Sequence, residues 1–394
     1  MTDFKADALP LLIGSLPMKD HKAATELILK YTPEIPLWAQ LPFYREEGMM
    51  AQFLPGMPGL TESEKGKLFI DTAGADFDEA YLAFFEEYLS ITEADGDITQ
   101  SRFTLTPEAG RGFKEFLNQI DSLETRPVAL KGQVSGPVTF ATGVTDQDDR
   151  AIFYNDQLRD AAVKHLAMNG KWQAKEFAAR GVTPIIFFDE PGLAGFGTSA
   201  FITITREDVT SVLGEVIEAV HSENGLAGVH VCANTEWDIL LESDIDIISF
   251  DAYSFFDKFI LYPDMIRSFI KKGKILAFGI VPTSDVKDIA GETPQSLFDR
   301  LTGQIKELEK LGISQRDILK QALITPSCGT GSLDFDSAEK VLQLTRDLSK
   351  RLLGVSSAIS LTSEVGTIPK ARIFPFSKNV LIMSGYNINL SKKE

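Results

Sequence analysis

The chain has 394 residues, 44% of them hydrophobic, and a formal net charge of −17 at pH 7. This acidic balance argues against nucleic-acid binding, which needs clustered lysine and arginine, and against adhesion to anionic membranes. We expect a cytoplasmic protein, because no apolar run reaches the roughly 18 residues of a spanning helix, the first residues do not resemble a signal peptide, and two cysteines do not make a disulfide framework.

Short apolar runs alternate along the sequence with longer amphipathic stretches. Strands are predicted at residues 11–16, 35–41, 128–134, 184–189, 227–232, 246–251, 274–280 and 323–326. Helices are predicted at residues 21–31, 77–90, 107–120, 151–180, 206–222, 265–272, 294–311 and 337–353. Most of the strands lack a clean two-residue alternation, which is typical of parallel strands covered on both faces.

Eight strands interleaved with helices favour an α/β fold, a single (β/α)8 TIM barrel over residues 1–355. An open doubly wound sheet is the alternative, but the GxGxxG phosphate loop often found there is absent. The stretch from about residue 42 to 127 is predicted as an insertion after the second strand that covers one mouth of the barrel. Residues 356–394 form a C-terminal tail with only weak strand signals.

Polar residues stand at the carboxyl ends of several predicted strands, where TIM barrels carry their active sites. His230 and Cys232 are two residues apart in one strand, so their side chains point to the same face. Asp251 ends the next strand, and Cys328 follows the last one. We therefore predict that these four side chains converge on a metal ion.

Zinc is the metal that this ligand set favours, because it accepts thiolate, imidazole and carboxylate ligands in a tetrahedral shell. Asp251 or a substrate could take the fourth position. A thiol bound to zinc loses its proton at neutral pH and becomes a nucleophile. The alternative is that both cysteines are small buried hydrophobes and that His230 is a core residue.

Two further pairs at strand ends have two interpretations each. Asp189 and Glu190 could serve acid–base chemistry or hold a substrate ammonium group, or they could form an ion pair and cap a turn. Since neighbours in a strand point to opposite sides, only one of them is expected to face the site. Gly14 and Ser15 could bind a carboxylate or simply form a tight turn.

Together, these segments resemble the catalytic C-terminal barrel of cobalamin-independent methionine synthase, within the uroporphyrinogen decarboxylase-like superfamily. The resemblance extends over about residues 11–353 and is carried by five places in the sequence. They are LIGSLP (12–17), KGQVSGPVTF (131–140), IIFFDEPGL (185–193), HVC (230–232) followed by DIISFD (246–251), and PSCG (326–329).

The resemblance implies a zinc-dependent methyltransferase that converts homocysteine to methionine. Its implied zinc ligands are His230, Cys232, Cys328 and Asp251. Asp189 is then the implied catalytic residue and holds the amino group of the amino acid. Ser15 and the backbone around Gly14 meet its carboxylate.

Three differences from this family leave the methyl donor open. The acidic ligand is usually glutamate, the second, N-terminal barrel has no counterpart, and GIVPTSDV (279–286) lacks the histidine taken to assist methyl transfer from folate. The donor partner is therefore expected to be a methyl-folate or a methyl-corrinoid protein. Alternative activities are methyl transfer from a corrinoid to coenzyme M and a metal-free porphyrinogen decarboxylase-like lyase, for which the arginine-rich N-terminal signature is missing. A third class of function is non-catalytic, in which the two cysteines form a disulfide or a structural zinc site.

Overall fold

The computed structural model describes residues 4–364, except residues 95 and 202. Most of the predicted tail, 356–394, therefore lies outside the described residues. Within them, no helix is both long enough and apolar enough to cross a membrane.

A parallel sheet of seven strands forms the centre of the molecule, in the order β1-β9-β8-β7-β6-β5-β4. A separate antiparallel pair, β2 and β3, lies in the insertion. The strands are Leu9–Pro10 (β1), Leu60–Glu62 (β2), Leu68–Ile70 (β3), Ala129–Ser135 (β4), Thr183–Asp189 (β5), Leu226–Val231 (β6), Ile247–Phe250 (β7), Ile275–Val281 (β8) and Ala322–Pro326 (β9). The predicted α/β class is confirmed, and the six strands predicted from residue 128 onward match β4 to β9 to within one residue at most ends.

The first two predicted strands differ from the structure. The ladder of the first strand lies at Leu9–Pro10, ahead of the predicted residues 11–16. The predicted strand 35–41 makes only single parallel bridges, from Gln40 to Ser15 on one edge of the sheet and from Leu37 to Lys131 on the other. Proline at position 36 has no N–H to donate, which interrupts a ladder at this point. What is observed is a curled seven-stranded sheet whose two edges both contact this segment.

Helices separate the strands as predicted. They are His21–Tyr31 (α1), Phe77–Glu93 (α2), Arg111–Asp121 (α3), Pro137–Gly143 (α4), Asp156–Ala178 (α5), Arg206–His221 (α6), Asp238–Glu242 (α7), Phe256–Phe259 (α8), Pro263–Lys271 (α9), Val286–Gly291 (α10), Pro294–Glu309 (α11), Gln315–Lys320 (α12) and Phe335–Glu364 (α13). The helix predicted to begin at residue 107 begins at Arg111 instead, because Thr106 accepts from the backbone N–H groups of Ala109 and Gly110 and forms a turn.

Alternate residues along each strand face either an interior cluster or an outer one. The outer cluster packs the sheet against the helices. The interior cluster joins both edges of the sheet, which shows that the sheet curls around it. Its members include Leu11, Ile35, Ala129, Ile185, Phe187, Ile247, Ile275, Ala277 and Leu323. This alternation decides which polar residues at the strand ends face a common space.

Candidate metal and substrate site

A cavity of about 370 Å³ lies at the carboxyl ends of β5, β6 and β9. All the predicted site residues except Asp251 line it. They are Gly14, Ser15, Asp189, His230, Cys232 and Cys328. The strand ends thus bring together residues that are more than 300 positions apart in the sequence.

Three of these side chains form a group that could hold a metal ion. One ligand atom each from His230, Cys232 and Cys328 lies within 4.8 Å of the other two. His230 Nε2 is buried and has no hydrogen-bond partner among the described residues, while Nδ1 is 3.0 Å from Ser249 Oγ. A buried nitrogen without a partner costs free energy unless something binds it. Two thiols and a free imidazole nitrogen are a donor set that suits zinc.

The two thiols interact directly. A hydrogen bond from Cys328 lowers the pKa of the Cys232 thiol far below its usual range, and the nearby imidazole of His230 acts in the same direction. The same hydrogen bond, together with burial, raises the pKa of Cys328. Cys232 is therefore the thiol that is set to be a thiolate, which is the form that binds metal.

Ser249 orients the imidazole ring, and its removal has a measurable expected effect. Replacing Ser249 by alanine frees Nδ1 of His230, and we expect zinc affinity to fall about 10- to 100-fold, as is usual when the hydrogen bond behind a histidine ligand is lost. Competition with a chromogenic chelator measures this change. Thr325→Val is the matched control, since Thr325 Oγ1 is also buried but has no partner among the described residues. Equal zinc affinities for Ser249→Ala and the wild type contradict this role.

Asp251 lies outside the three-residue group. It follows β7, is 3% exposed, and its Oδ1 accepts from the backbone N–H of Ser254 at 2.8 Å. Burial raises the pKa of its carboxyl group, and the neighbouring Cys232 adds to that effect. The predicted fourth ligand is thus near the thiols but is held by its own turn.

The adjacent carboxylates Asp189 and Glu190 have separate surroundings. Asp189 shares its strand face with Ile185 and Phe187 and lines the cavity, and its Oδ1 has no hydrogen-bond partner among the described residues. Burial raises the pKa of Asp189, whereas the positive charge of Lys131 opposes that rise. An unpaired buried carboxylate oxygen beside a cavity can accept a hydrogen bond from a ligand.

Glu190 points away from the cavity and anchors the start of α4. Its carboxylate accepts from the backbone N–H groups of Val138 and Thr139, at 2.8 and 2.7 Å, and from the Thr139 hydroxyl at 2.6 Å. The approach requires glycine at position 136, because a Cβ there would lie 2.1 Å from Glu190 Cδ. The motif KGQVSGPVTF therefore packs against the motif IIFFDEPGL, through the contacts of its second half with Glu190.

The loop after Cys328 is locked onto Ser15. Thr330 donates to the Ser15 carbonyl from both its N–H, at 3.1 Å, and its hydroxyl, at 3.0 Å. The N–H of Gly331 donates to Ser15 Oγ at 3.1 Å. A Cβ at position 329 would lie 2.3 Å from Ser15 Oγ, so glycine lets the two loops meet. These bonds hold Ser15 at the wall of the cavity.

Sequence reasoning missed three polar residues that also line the cavity, Gln40, Glu47 and Ser332. Gln40 Nε2 donates to Gln52 Oε1 at 2.6 Å. Glu47 is 1% exposed and binds His21 Nε2 at 2.7 Å and the backbone N–H of Leu41 at 2.9 Å. The strand-end criterion could have identified Gln40, which is near the end of the predicted strand 35–41, but no pattern in the insertion pointed to Glu47.

No protein-family model matches the chain, and no curated protein is significantly similar to it. Among solved structures, a B12-independent methionine synthase from Shewanella sp. W3-18-1 is 20% identical over 62% of this chain, with a TM-score of 0.44. This chain spans 66% of the length of that methionine synthase chain.

Glycoside hydrolases give similar scores. A broad-specificity endoglucanase from Clostridium acetobutylicum is 12% identical, covering 88% of this chain and 100% of its own, with a TM-score of 0.39. The pneumococcal virulence factor StrH is 13% identical over 88% of this chain and 83% of its own, with a TM-score of 0.45. All three TM-scores lie below 0.5, so these likenesses do not decide the function.

Proposed function

We propose that this protein is a zinc-dependent methyltransferase that moves a methyl group to a thiol, with homocysteine as the acceptor and methionine as the product. The observation that carries the proposal is the buried, unpartnered Nε2 of His230, which lies with two thiols at the wall of one cavity. The motifs shared with cobalamin-independent methionine synthase point to the same chemistry. On this proposal residues 1–355 are one catalytic (β/α)8 barrel. The segment 35–41 is its second strand in chain order and closes the barrel between the two edges of the seven-stranded sheet.

His230, Cys232 and Cys328 are the proposed zinc ligands, which leaves a fourth position for the substrate sulfur. Bound zinc would lower the pKa of the substrate thiol and hold its sulfur in place, which combines activation with positioning. Ser249 keeps the imidazole turned so that Nε2 faces the thiols. Asp251 lies outside this group, and its proposed role is that of an exchangeable fourth ligand when no substrate is present.

The remaining cavity walls suit the amino-acid part of homocysteine. Asp189 offers an unpaired carboxylate oxygen to the ammonium group, and Glu47 adds a second buried carboxylate to the same cavity. The Ser15 hydroxyl accepts from Gly331 and keeps its own hydrogen for the substrate carboxylate, beside the backbone of Gly14. Coenzyme M has neither an ammonium group nor a carboxylate, so these walls favour an amino acid.

The test uses zinc-loaded protein with homocysteine and two methyl donors, a methyl-folate and a methyl-corrinoid, each assayed separately for methionine by mass spectrometry. We expect methionine with one of the two donors. Parallel reactions with coenzyme M examine the alternative acceptor. Failure to methylate homocysteine with either donor, by protein that carries a full complement of zinc, contradicts the proposal. Methylation of coenzyme M alone would favour that alternative.

Asp189→Asn separates substrate binding from metal binding. Loss of the charged acceptor is expected to weaken homocysteine binding about 10- to 100-fold, since hydrogen bonds to charged groups contribute about 1.5–3 kcal/mol. Zinc content is expected to stay at the wild-type level because Asp189 is outside the ligand group. Calorimetric titration measures the affinity, and an unchanged value removes Asp189 from the substrate site.

A further inference from the structure

Lys131 occupies an unusual place on the interior face of the sheet. It is fully buried, and it is the one lysine or arginine with a buried side chain among the residues whose burial is described. Its Nζ lies 4.7 Å from the centre of the Phe187 ring. Burial lowers the pKa of Lys131 to about 8, and the charge of Asp189 acts in the opposite direction. Burying an ammonium group is costly in free energy, so it needs compensating interactions.

The hydrogen bonds of Lys131 lead to one end of the proposed substrate subsite. Its Nζ donates to the carbonyl oxygen of Ile13 and, at 3.2 Å, to Gln133 Oε1. Ile13 lines the cavity and immediately precedes Gly14 and Ser15, the proposed carboxylate-binding residues. Lys131 therefore fixes the backbone from which this end of the subsite is built.

The charge of Lys131 acts on the other end. Lys131 pairs in register with Ile185, which shares the interior face of β5 with Phe187 and Asp189. Asp189 has an unpaired oxygen and also experiences the nearby Cys232 thiol, which disfavours its negative charge. Lys131 offsets this effect from inside the sheet, and the imidazole of His230 acts in the same direction. One side chain thus influences both the ammonium end and the carboxylate end of the cavity.

We propose that Lys131 is a positioning residue that sets both ends of an amino-acid subsite, by holding the Ile13 carbonyl and by balancing the charge of Asp189. This inference rests on the proposed function, because it assigns the subsite to the α-amino acid part of the thiol substrate. Lys131 does not line the cavity and does not itself touch the substrate. Its contribution is selectivity for a thiol that carries an ammonium group and a carboxylate.

The experiment titrates zinc-loaded wild type and Lys131→Met with two thiols, homocysteine and 1-propanethiol, which lacks both charged groups. We expect homocysteine to bind the variant about tenfold or more weakly, with propanethiol changed less than about twofold. Zinc content is expected to equal that of the wild type. A purely structural role would instead weaken the binding of both thiols together. Thr325→Val, at another buried interior position, is the control.

The outcomes separate this inference from the function on which it rests. If the wild type prefers homocysteine and Lys131→Met keeps that preference within twofold, the role of Lys131 is overturned. The proposed function then still stands. Wild type that binds homocysteine no more tightly than propanethiol overturns both.

A double-mutant cycle followed by thermal unfolding tests the charge balance without any substrate. If Lys131→Met does not fold, Lys131→Gln takes its place. If Lys131 and Asp189 balance each other, the double variant with Asp189→Asn unfolds at a higher temperature than either single variant. A double variant no more stable than the weaker single one contradicts the pairing.

Discussion

Replacing either Cys232 or Cys328 by serine is expected to remove zinc from the protein and abolish methyl transfer. A serine hydroxyl does not ionise near neutral pH and is a poor zinc ligand, so the group that now holds three donors within 4.8 Å keeps only two good ones. We expect zinc to fall from about one per chain to below about a tenth, and the rate to fall at least about 100-fold. Elemental analysis after gel filtration, alongside the methionine assay, measures both quantities.

Two controls make this result specific. His221→Asn changes an accessible histidine outside the ligand group and is expected to keep both zinc and activity. Wild type stripped of metal by a chelator is expected to unfold within a few degrees of each serine variant, because both lack the metal and serine keeps a small polar side chain at the position. A serine variant that retains full zinc and a full rate excludes that cysteine from the site.

Replacing Glu190 by alanine is expected to cause the largest loss of stability, with no direct effect on the cavity. The change leaves two backbone N–H groups and one hydroxyl without an acceptor in a site that water does not reach. Each unsatisfied buried donor costs about 1–3 kcal/mol, so we expect the free energy of unfolding to fall by about 3 kcal/mol or more. Chemical denaturation followed by circular dichroism measures it. Asp208→Ala, at the exposed capping box of α6, is the matched control and is expected to cost about 1 kcal/mol.

The contribution of Glu190 also depends on pH. Burial raises the pKa of Glu190 from its ordinary value of 4.5 to about 7, against the effect of its three donors. The folded chain therefore binds this proton more tightly than the unfolded chain, and the stability gained is complete below pH 4.5 and is lost as pH rises through about 7. We expect Glu190→Ala to cost more at pH 5 than at pH 8. A cost that grows with rising pH would falsify this assignment.

The later strands and the group of His230, Cys232 and Cys328 could be predicted from the sequence because one local rule applied to both. Apolar runs such as 227–232 mark strands buried on both faces, and polar residues at their carboxyl ends have few other places to lie. The two-residue spacing of His230 and Cys232 then placed both on one face. The structure brings Cys328 to them because β9 joins the same parallel sheet.

The features that sequence reasoning missed depend on contacts between distant segments. The course of the segment 11–16 is set by the hydrogen bonds between Ser15 and the loop around Thr330. These contacts cannot be inferred from local propensity. Helix α4 is short and apolar, and it is anchored by Glu190 from another strand. Glu47 reaches the cavity from the insertion because His21 and the backbone of Leu41 hold it there.

The alternation of faces along β5 has a consequence for engineering. Ile186 and Phe188 belong to the outer cluster, whereas Phe187 and Asp189 face the interior, and of these four only Asp189 lines the cavity. The residues at cavity positions can then be exchanged for other donors, or for apolar side chains that admit a different thiol, while the packing against the helices is left unchanged. New thiol specificities can therefore be selected at these positions without a redesign of the outer face of the sheet.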